Sequence, residues 1–449
     1  MDGIGNGKGR RFDPACYHGL TITKGCHIIH NMNKIYSRDE YYYPRWLTAL
    51  LRDALGTHPI VVLTGARQVG KSTLLRNEDP FRGWRYYTFD DMDTLTQARR
   101  DPASLWAGAD RVILDEVQRV PEVLLAVKKA VDDYPQRYRF VLSGSVNLLL
   151  MQRVSESLAG RAVYFVLHPL ALGEAQRQPP PTLLAELLGG RWPSEGDIGS
   201  EETVDPLTIL QRGAMPGLLH STDPTVWLRW WEGYILTYLE RDLRQMAQIE
   251  ALPDFRRLMD LLALHTGQLL NQSELGRGVG MSQPTTHRYI NLLETTHLME
   301  RLPSYTAGRI QRLVKSPKIY WTDPGLPVFL SGYFDRESLA QARELGAFFE
   351  ALIYQHLRIL SELMTPKARL YFWRTRTGNE VDFVVEQGRR LVAFEVKWSE
   401  NPRFQHADGL RHFLDAHPHA QGGVLLHRGT ETRFLGERIL ALPWRLLTG

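Results

Sequence analysis

The sequence predicts an α/β architecture, and three stretches carry that expectation. In the first, the apolar run Ile60-Val61-Val62-Leu63 leads into Gly65-Ala66-Arg67-Gln68-Val69-Gly70-Lys71-Ser72-Thr73, and Leu74-Leu75 opens a helix behind it. A buried parallel strand, a loop bracketed by glycines and a helix start form the context of a P-loop nucleoside triphosphatase. In the second, Arg111-Val112-Ile113-Leu114 is an apolar strand closed by Asp115-Glu116. In the third, strands and an amphipathic helix fill the last hundred residues and carry Asp382, Glu395 and Lys397. The expected order is a P-loop domain, a helical and winged-helix module, and a C-terminal α/β domain.

Each P-loop residue type has a physical task. Gly65 and Gly70 allow backbone conformations closed to residues with a Cβ. The amides from Ala66 through Val69 face inward as an anion nest, and the helix start adds partial positive charge. Lys71 is expected at the β- and γ-phosphates and Ser72 on Mg²⁺, with Thr73 beside it. Asp115 is expected to hold Mg²⁺ and Glu116 to polarise the attacking water. ATP and Mg²⁺ are therefore the expected cofactors.

Length and composition bound the rest. At 449 residues, two or three domains are expected. Apolar content of 43% and charged content of 23% are those of a globular protein. No apolar run approaches the ~20 residues that span a bilayer, so no membrane partner is expected. The polar, Gly-rich start lacks a secretory signal's apolar segment. Both cysteines, Cys16 and Cys26, lie near the N-terminus, so disulfides do not hold the fold; this fits a reducing cytoplasm. The net charge of +4 is compatible with nucleic acid without requiring it.

In chain order, residues 1–31 read as a tail. Met32 opens a stretch like a protein start, so the tail reads as an upstream extension. Residues 32–176 read as the ATPase core, with a helix over 41–55 and further strands at 84–89, 139–145 and 163–167. The polar end of the strand at 139–145 offers Ser143, Ser145 or Asn147 as a γ-phosphate sensor. Arg161 is either a finger acting on a neighbouring subunit or an ordinary surface Arg. Residues 177–206, with Pro179-Pro180-Pro181 and an acidic run, read as an insertion or linker.

Residues 207–250 read as helical and 251–335 as the winged-helix module. Asn271 with Glu274 has capping-box spacing, and Ser282 caps a longer helix from Gln283. Gln283, Thr286, His287 and Arg288 are expected to face outward near that helix's start, where a recognition helix meets bases. Arg301, Arg309, Arg312, Lys315 and Lys318 form an acid-free stretch suited to phosphates. A winged helix that serves only for packing, with a solvated basic face, is the alternative. In residues 336–449, Asp382 and Glu395 on adjacent strands, Lys397 on the Glu395 face and Glu350 on the preceding helix form a candidate metal-dependent phosphodiesterase set.

Residues of about 40 to 440 resemble a prokaryotic family of AAA+-like ATPases with a C-terminal DUF4143 region. The match rests on Thr64 to Thr73, Leu114-Asp115-Glu116-Val117-Gln118, Leu158-Ala159-Gly160-Arg161 and Tyr238-Leu239-Glu240-Arg241-Asp242. It continues through Lys315-Ser316-Pro317-Lys318, Gly378 to Phe383 and Glu395-Val396-Lys397. The resemblance implies an AAA+-like core, a winged helix and a terminal domain similar to PD-(D/E)xK nucleases, that is, restriction-endonuclease-like. It favours Arg161 as the finger. The leading expectation is an ATP-driven motor or remodeller acting on DNA, branched DNA included, as a homo-oligomeric ring such as a hexamer. A nucleotide-switched regulator and a protein-binding scaffold are the alternatives.

Overall fold

A computed structural model describes residues 42–145, 158–194, 204–237, 252–306 and 316–448. Asn147, Arg309, Arg312, Lys315 and the stretch Tyr238 to Asp242 lie outside the described residues.

The first domain is built on one parallel sheet. Helix α1 (Leu47–Thr57) buries Leu47, Leu51 and Leu55 beside it. Strand β1 (Ile60–Thr64) is buried at every position, as a central parallel strand with both faces covered must be. Helix α2 (Lys71–Asn77) follows the loop, and β2 (Arg85–Thr88), α3 (Met92–Arg100), β3 (Arg111–Asp115), α4 (Val123–Asp133), β4 (Arg139–Gly144) and β5 (Ala162–Val166) complete the unit. The strand order is β2-β3-β4-β1-β5. This order sets the C-terminal ends of β1, β3 and β4 side by side, where α/β sheets place their ligands.

Part of the stretch expected to be a linker is helical. Helix α5 (Leu183–Leu188) buries four leucines in the apolar cluster of the C-terminal domain, with Phe348, Val392 and Leu442. The prolines before it end one element and do not loosen the chain. Helix α6 (Pro206–Arg212) starts on an Asp205 cap and joins the same cluster. Helix α7 (Pro224–Thr237) brings Trp227, Trp230, Trp231 and Tyr234 into the core that lines the P-loop domain.

Helices α8 (Leu252–Leu264), α9 (Gln272–Val279) and α10 (Gln283–Thr295) are followed by the antiparallel strands β6 (Met299–Leu302) and β7 (Lys318–Trp321). Asn271 accepts from the Glu274 amide, and Ser282 from the Thr285 amide, so both caps form as their residue types dictate. Beyond β6 the chain bonds to the next domain: the Tyr305 amide donates to the Phe372 carbonyl at 2.6 Å.

The last domain opens with α11 (Leu345–Glu362). A six-stranded mixed sheet follows: β8 (Arg369–Arg374), β9 (Glu380–Gln387), β10 (Arg390–Lys397), β11 (Gly422–His427), β12 (Arg433–Gly436) and β13 (Ile439–Pro443), ordered β12-β13-β11-β10-β9-β8. Val392, Phe394 and Val396 pack in one cluster with α11, while Leu391 and Ala393 pack with Leu410 and Phe413 of α12 (Asp408–Ala416). Period-two alternation therefore puts Glu395 and Lys397 on the α12 face. No described helix is long and apolar enough to cross a membrane.

Candidate functional site

The loop after β1 closes on itself. Gly65 has φ +150°, and a Cβ there would sit 2.2 Å from the Leu167 carbonyl oxygen, so only glycine fits. Gly70 is left-handed at φ +97° and caps α2. The Lys71 Nζ donates to the carbonyls of Gly65 and Ala66, both at 2.9 Å, so the loop wraps its own lysine. Burial pulls the Lys71 pKa down, while Glu116 and Asp115 oppose the shift. Arg67, Gln68 and Val69 complete the turn, with Gln68 at φ +64°.

Asp115 ends β3 inside a ring of donors. Its Oδ2 accepts from the Ser72 hydroxyl at 2.6 Å and from the Tyr86 hydroxyl. Its Oδ1 accepts from the Ser143 hydroxyl at 2.5 Å and from the Glu116 amide at 3.0 Å. Glu116 follows in a left-handed turn, φ +57°, that swings its carboxylate off the strand. There Oε2 accepts from the Gln118 amide and from the Ser145 hydroxyl, the latter at 3.3 Å. Ser72 and Asp115 supply the hard oxygens that suit Mg²⁺, so the donor set fits the expected ion. Ser143 departs from the sensor expectation. It is fully buried, and its hydroxyl is spent on Asp115, so it anchors that carboxylate.

Arg45, which no sequence motif marks, fastens the loop from outside. Its guanidinium donates to the Val69 carbonyl at 2.8 Å and the His168 carbonyl at 2.6 Å, and pairs with Glu174 at 3.2 Å. Arg161 stands at the start of β5 and forks onto Asp132 of its own chain, at 2.5 and 2.9 Å.

Three of the four residues expected to face outward near the start of α10 do so. Gln283, His287 and Arg288 are exposed on the first turns of α10. Thr286 is not: it is fully buried, donates to the Ser282 carbonyl at 3.0 Å and packs against Gly276, because its position faces α9. The basic stretch is corrected at two further positions. Arg301 pairs with Glu294 at 3.2 Å and donates to Asn291 at 2.7 Å. Lys318 is buried and turned away from solvent.

Lys318 also alters the C-terminal acidic site. Its Nζ lies 3.1 Å from Glu350, 2.6 Å from Glu380 and 3.8 Å from Asp382. Burial opposes its charge, but these carboxylates outweigh burial and hold its pKa above the usual value. Tyr320 donates to the same Glu350 oxygen. On the far side, Lys397 donates to Glu395 at 2.6 Å, and Asp382 accepts from the Val396 amide at 2.8 Å. Glu350, Asp382, Glu395 and Lys397 thus gather where the sequence placed them. Both lysines engage these carboxylates, Lys318 on Glu350 at 3.1 Å and Lys397 on Glu395 at 2.6 Å. A cleft of about 350 Å³ opens beside them, lined by His265, Gln268, Asn271, Lys318, Arg374 and Glu380 among others.

Helix α11 carries this network further, at four-residue spacing. Glu350 holds β7, Tyr354 and Arg358 hold Glu300 of β6 at 2.5 and 3.0 Å, and Glu362 accepts from the Val166 amide of β5 at 3.4 Å. One helical stripe therefore touches the β6–β7 pair and the edge of the ATPase sheet.

A parallel sheet with a P-loop on β1 and paired acids on β3 defines a P-loop ATPase. Residues 57–176 match the family model described as AAA domain, 345–447 match the domain of unknown function DUF4143, and 205–337 match the domain of unknown function DUF8612. The chain is 33% identical over 356 residues to "Uncharacterized protein Rv2008c" of Mycobacterium tuberculosis, covering 79% of this chain and 74% of that one. The same figures hold for "Uncharacterized protein Mb2031c" of Mycobacterium bovis. A solved Walker-type ATPase of Pyrococcus abyssi aligns at TM-score 0.43 and 16% identity, covering 66% of this chain and 96% of that one. The chain belongs to the family of AAA+-like P-loop ATPases with a C-terminal DUF4143 domain.

Proposed function

We propose that this protein hydrolyses ATP and uses the cycle to control its hold on DNA through the winged helix, working as a homo-oligomer. The hydrolytic part rests on Glu116, whose carboxylate stands off the end of β3 beside Asp115, where a base can orient water at a nucleotide on Lys71. Bound Mg²⁺ would neutralise phosphate charge; Ser72 and Asp115 are the residues that would hold it. The DNA part is supported by exposed Gln283, His287 and Arg288 on the first turns of α10, the usual reading end of a recognition helix. Arg161 is the finger for a neighbouring subunit, and Asp132 parks it while no neighbour is engaged.

The C-terminal domain braces the winged helix in this reading, and cleavage is not its task. Lys318 ties Glu350 of α11 to Glu380 and Asp382 of β9, which is the brace. The stripe on α11 favours a second reading, a nucleotide-switched regulator in which the ATPase sets the wing's position. One experiment separates the two. Duplex affinity is measured against salt for the ATP-bound, ADP-bound and empty protein, and ATP turnover is measured with and without the same duplex. Affinity that follows the nucleotide, with turnover stimulated by DNA, supports the leading reading. Affinity that follows the nucleotide while turnover ignores DNA supports the switch. No salt-dependent binding in any state rejects DNA as the partner.

A further inference from the structure

The four donors around Asp115 lead beyond the general ATPase assignment. An ionised carboxylate offers about four lone-pair positions. Here all four are taken: Ser72 and Tyr86 on Oδ2, Ser143 and the Glu116 amide on Oδ1. A hydrated cation joining this carboxylate needs one of those positions for itself or for its water. Three of the donors are poor candidates to leave. The Glu116 amide is backbone. Ser143 is fully buried between strands. Ser72 can ligate a cation through its oxygen while its hydrogen still points at Asp115.

Tyr86 is different. It sits on β2, an edge strand of the sheet, and is only partly buried. The guanidinium of Arg76 lies 4.3 Å from its ring centroid, on the helix that follows the P-loop. Its ring is therefore framed on one side by a side chain that can travel with it.

We propose that Tyr86 is a positioning residue of the ATP site, whose hydroxyl holds on Asp115 Oδ2 the place of a Mg²⁺-bound water and yields it when the metal–nucleotide complex arrives. This rests on the ATP-site reading above. The Tyr86–Asp115 bond keeps a buried carboxylate satisfied and pointed at Ser72. On loading, the released phenol turns toward solvent along the sheet edge. Mg²⁺ occupancy is thereby opposed by one hydrogen bond, and removing that bond alone should tighten Mg²⁺ without touching the phosphate cradle.

The test uses the full chain with Tyr86→Phe and, should packing matter, Tyr86→Leu. A fluorescent ADP analogue is titrated into each protein in chelator-buffered solutions of fixed free Mg²⁺. The readout is the free Mg²⁺ at which nucleotide affinity is half-maximally enhanced. Both variants should move that midpoint to roughly three- to tenfold lower Mg²⁺, the factor that one hydrogen bond's net worth gives. Affinity in excess chelator should stay within about twofold. A midpoint that is unchanged or higher in both variants, with wild-type protein binding normally, overturns the role of Tyr86. Wild-type protein that binds the analogue no better than Lys71→Ala overturns the ATP-site reading itself, so the two failures are told apart.

Discussion

Replacing Lys318 with Met leaves the carboxylates of Glu350, Glu380 and Asp382 without their shared cation. The Lys318 side chain is only 4% exposed, so little solvent screening softens the loss. Removing one partner of a buried charged set costs about 3–5 kcal/mol. For a cooperative unit of about 150–250 residues, that corresponds to a fall in melting temperature of roughly 6–20 °C. The pH dependence has a definite sign. Burial, then Asp382, push Glu350 up to about 7, and burial, then Asp382, push Glu395 up to about 8. A carboxyl whose pKa is higher folded than unfolded favours folding while both states are protonated, and that advantage fades as pH rises through the folded value. Without Lys318, Glu350 loses a charge that holds it down and rises further, so the penalty of the substitution is largest at pH 8 and shrinks toward pH 5.5 as it takes up a proton. Thermal melts of both proteins at the two pH values, followed by tryptophan fluorescence, provide the assay. Equal melting temperatures at pH 8, or a larger loss at pH 5.5, would refute the reasoning.

Three further outcomes are expected. Lys71→Ala abolishes phosphate release, whereas Glu116→Gln binds ATP and retains it unhydrolysed on a filter; rapid turnover by Glu116→Gln would remove Glu116 as the base. Mixing Arg161→Ala with Lys71→Ala subunits restores part of the activity that neither has alone, because one interface then joins an intact finger to an intact P-loop; a monomer with full activity contradicts this. Neutralising Arg288 together with Arg309, Arg312 and Lys315 flattens the slope of log affinity against log salt by up to ~0.9 for each duplex phosphate that is no longer neutralised, and an unchanged slope places DNA elsewhere.

The sequence exposes what local chemistry dictates. Gly65 is legible because a Cβ there would meet the Leu167 carbonyl, Gly70 because its backbone is left-handed, and Asp115 because an apolar run must end where its polar residues begin. The caps at Asn271 and Ser282 follow from residue type and spacing alone. What stays hidden depends on partners distant in the chain. Tyr86 reaches Asp115 only because β2 lies beside β3, an order that no local pattern encodes. Lys318 reads as part of a basic stripe because its neighbours in sequence are basic, while its neighbours in space are acids from α11 and β9. Thr286 lies one helical face away from its expected side, since polar residues at a helix start do not reveal which side meets α9. The leucines of α5 are obscured by the prolines and acids around them, although their spacing, Leu183, Leu184, Leu187 and Leu188, is that of a buried helical face.

The most direct test of the central claim is the rate of ATP hydrolysis by the wild-type protein against a panel of single-stranded, duplex, forked and four-way DNA at low and physiological salt. The account predicts Lys71-dependent hydrolysis that at least one DNA form stimulates, with less stimulation as salt rises. Hydrolysis that is the same with every DNA and without any would contradict the coupling of the ATPase to DNA.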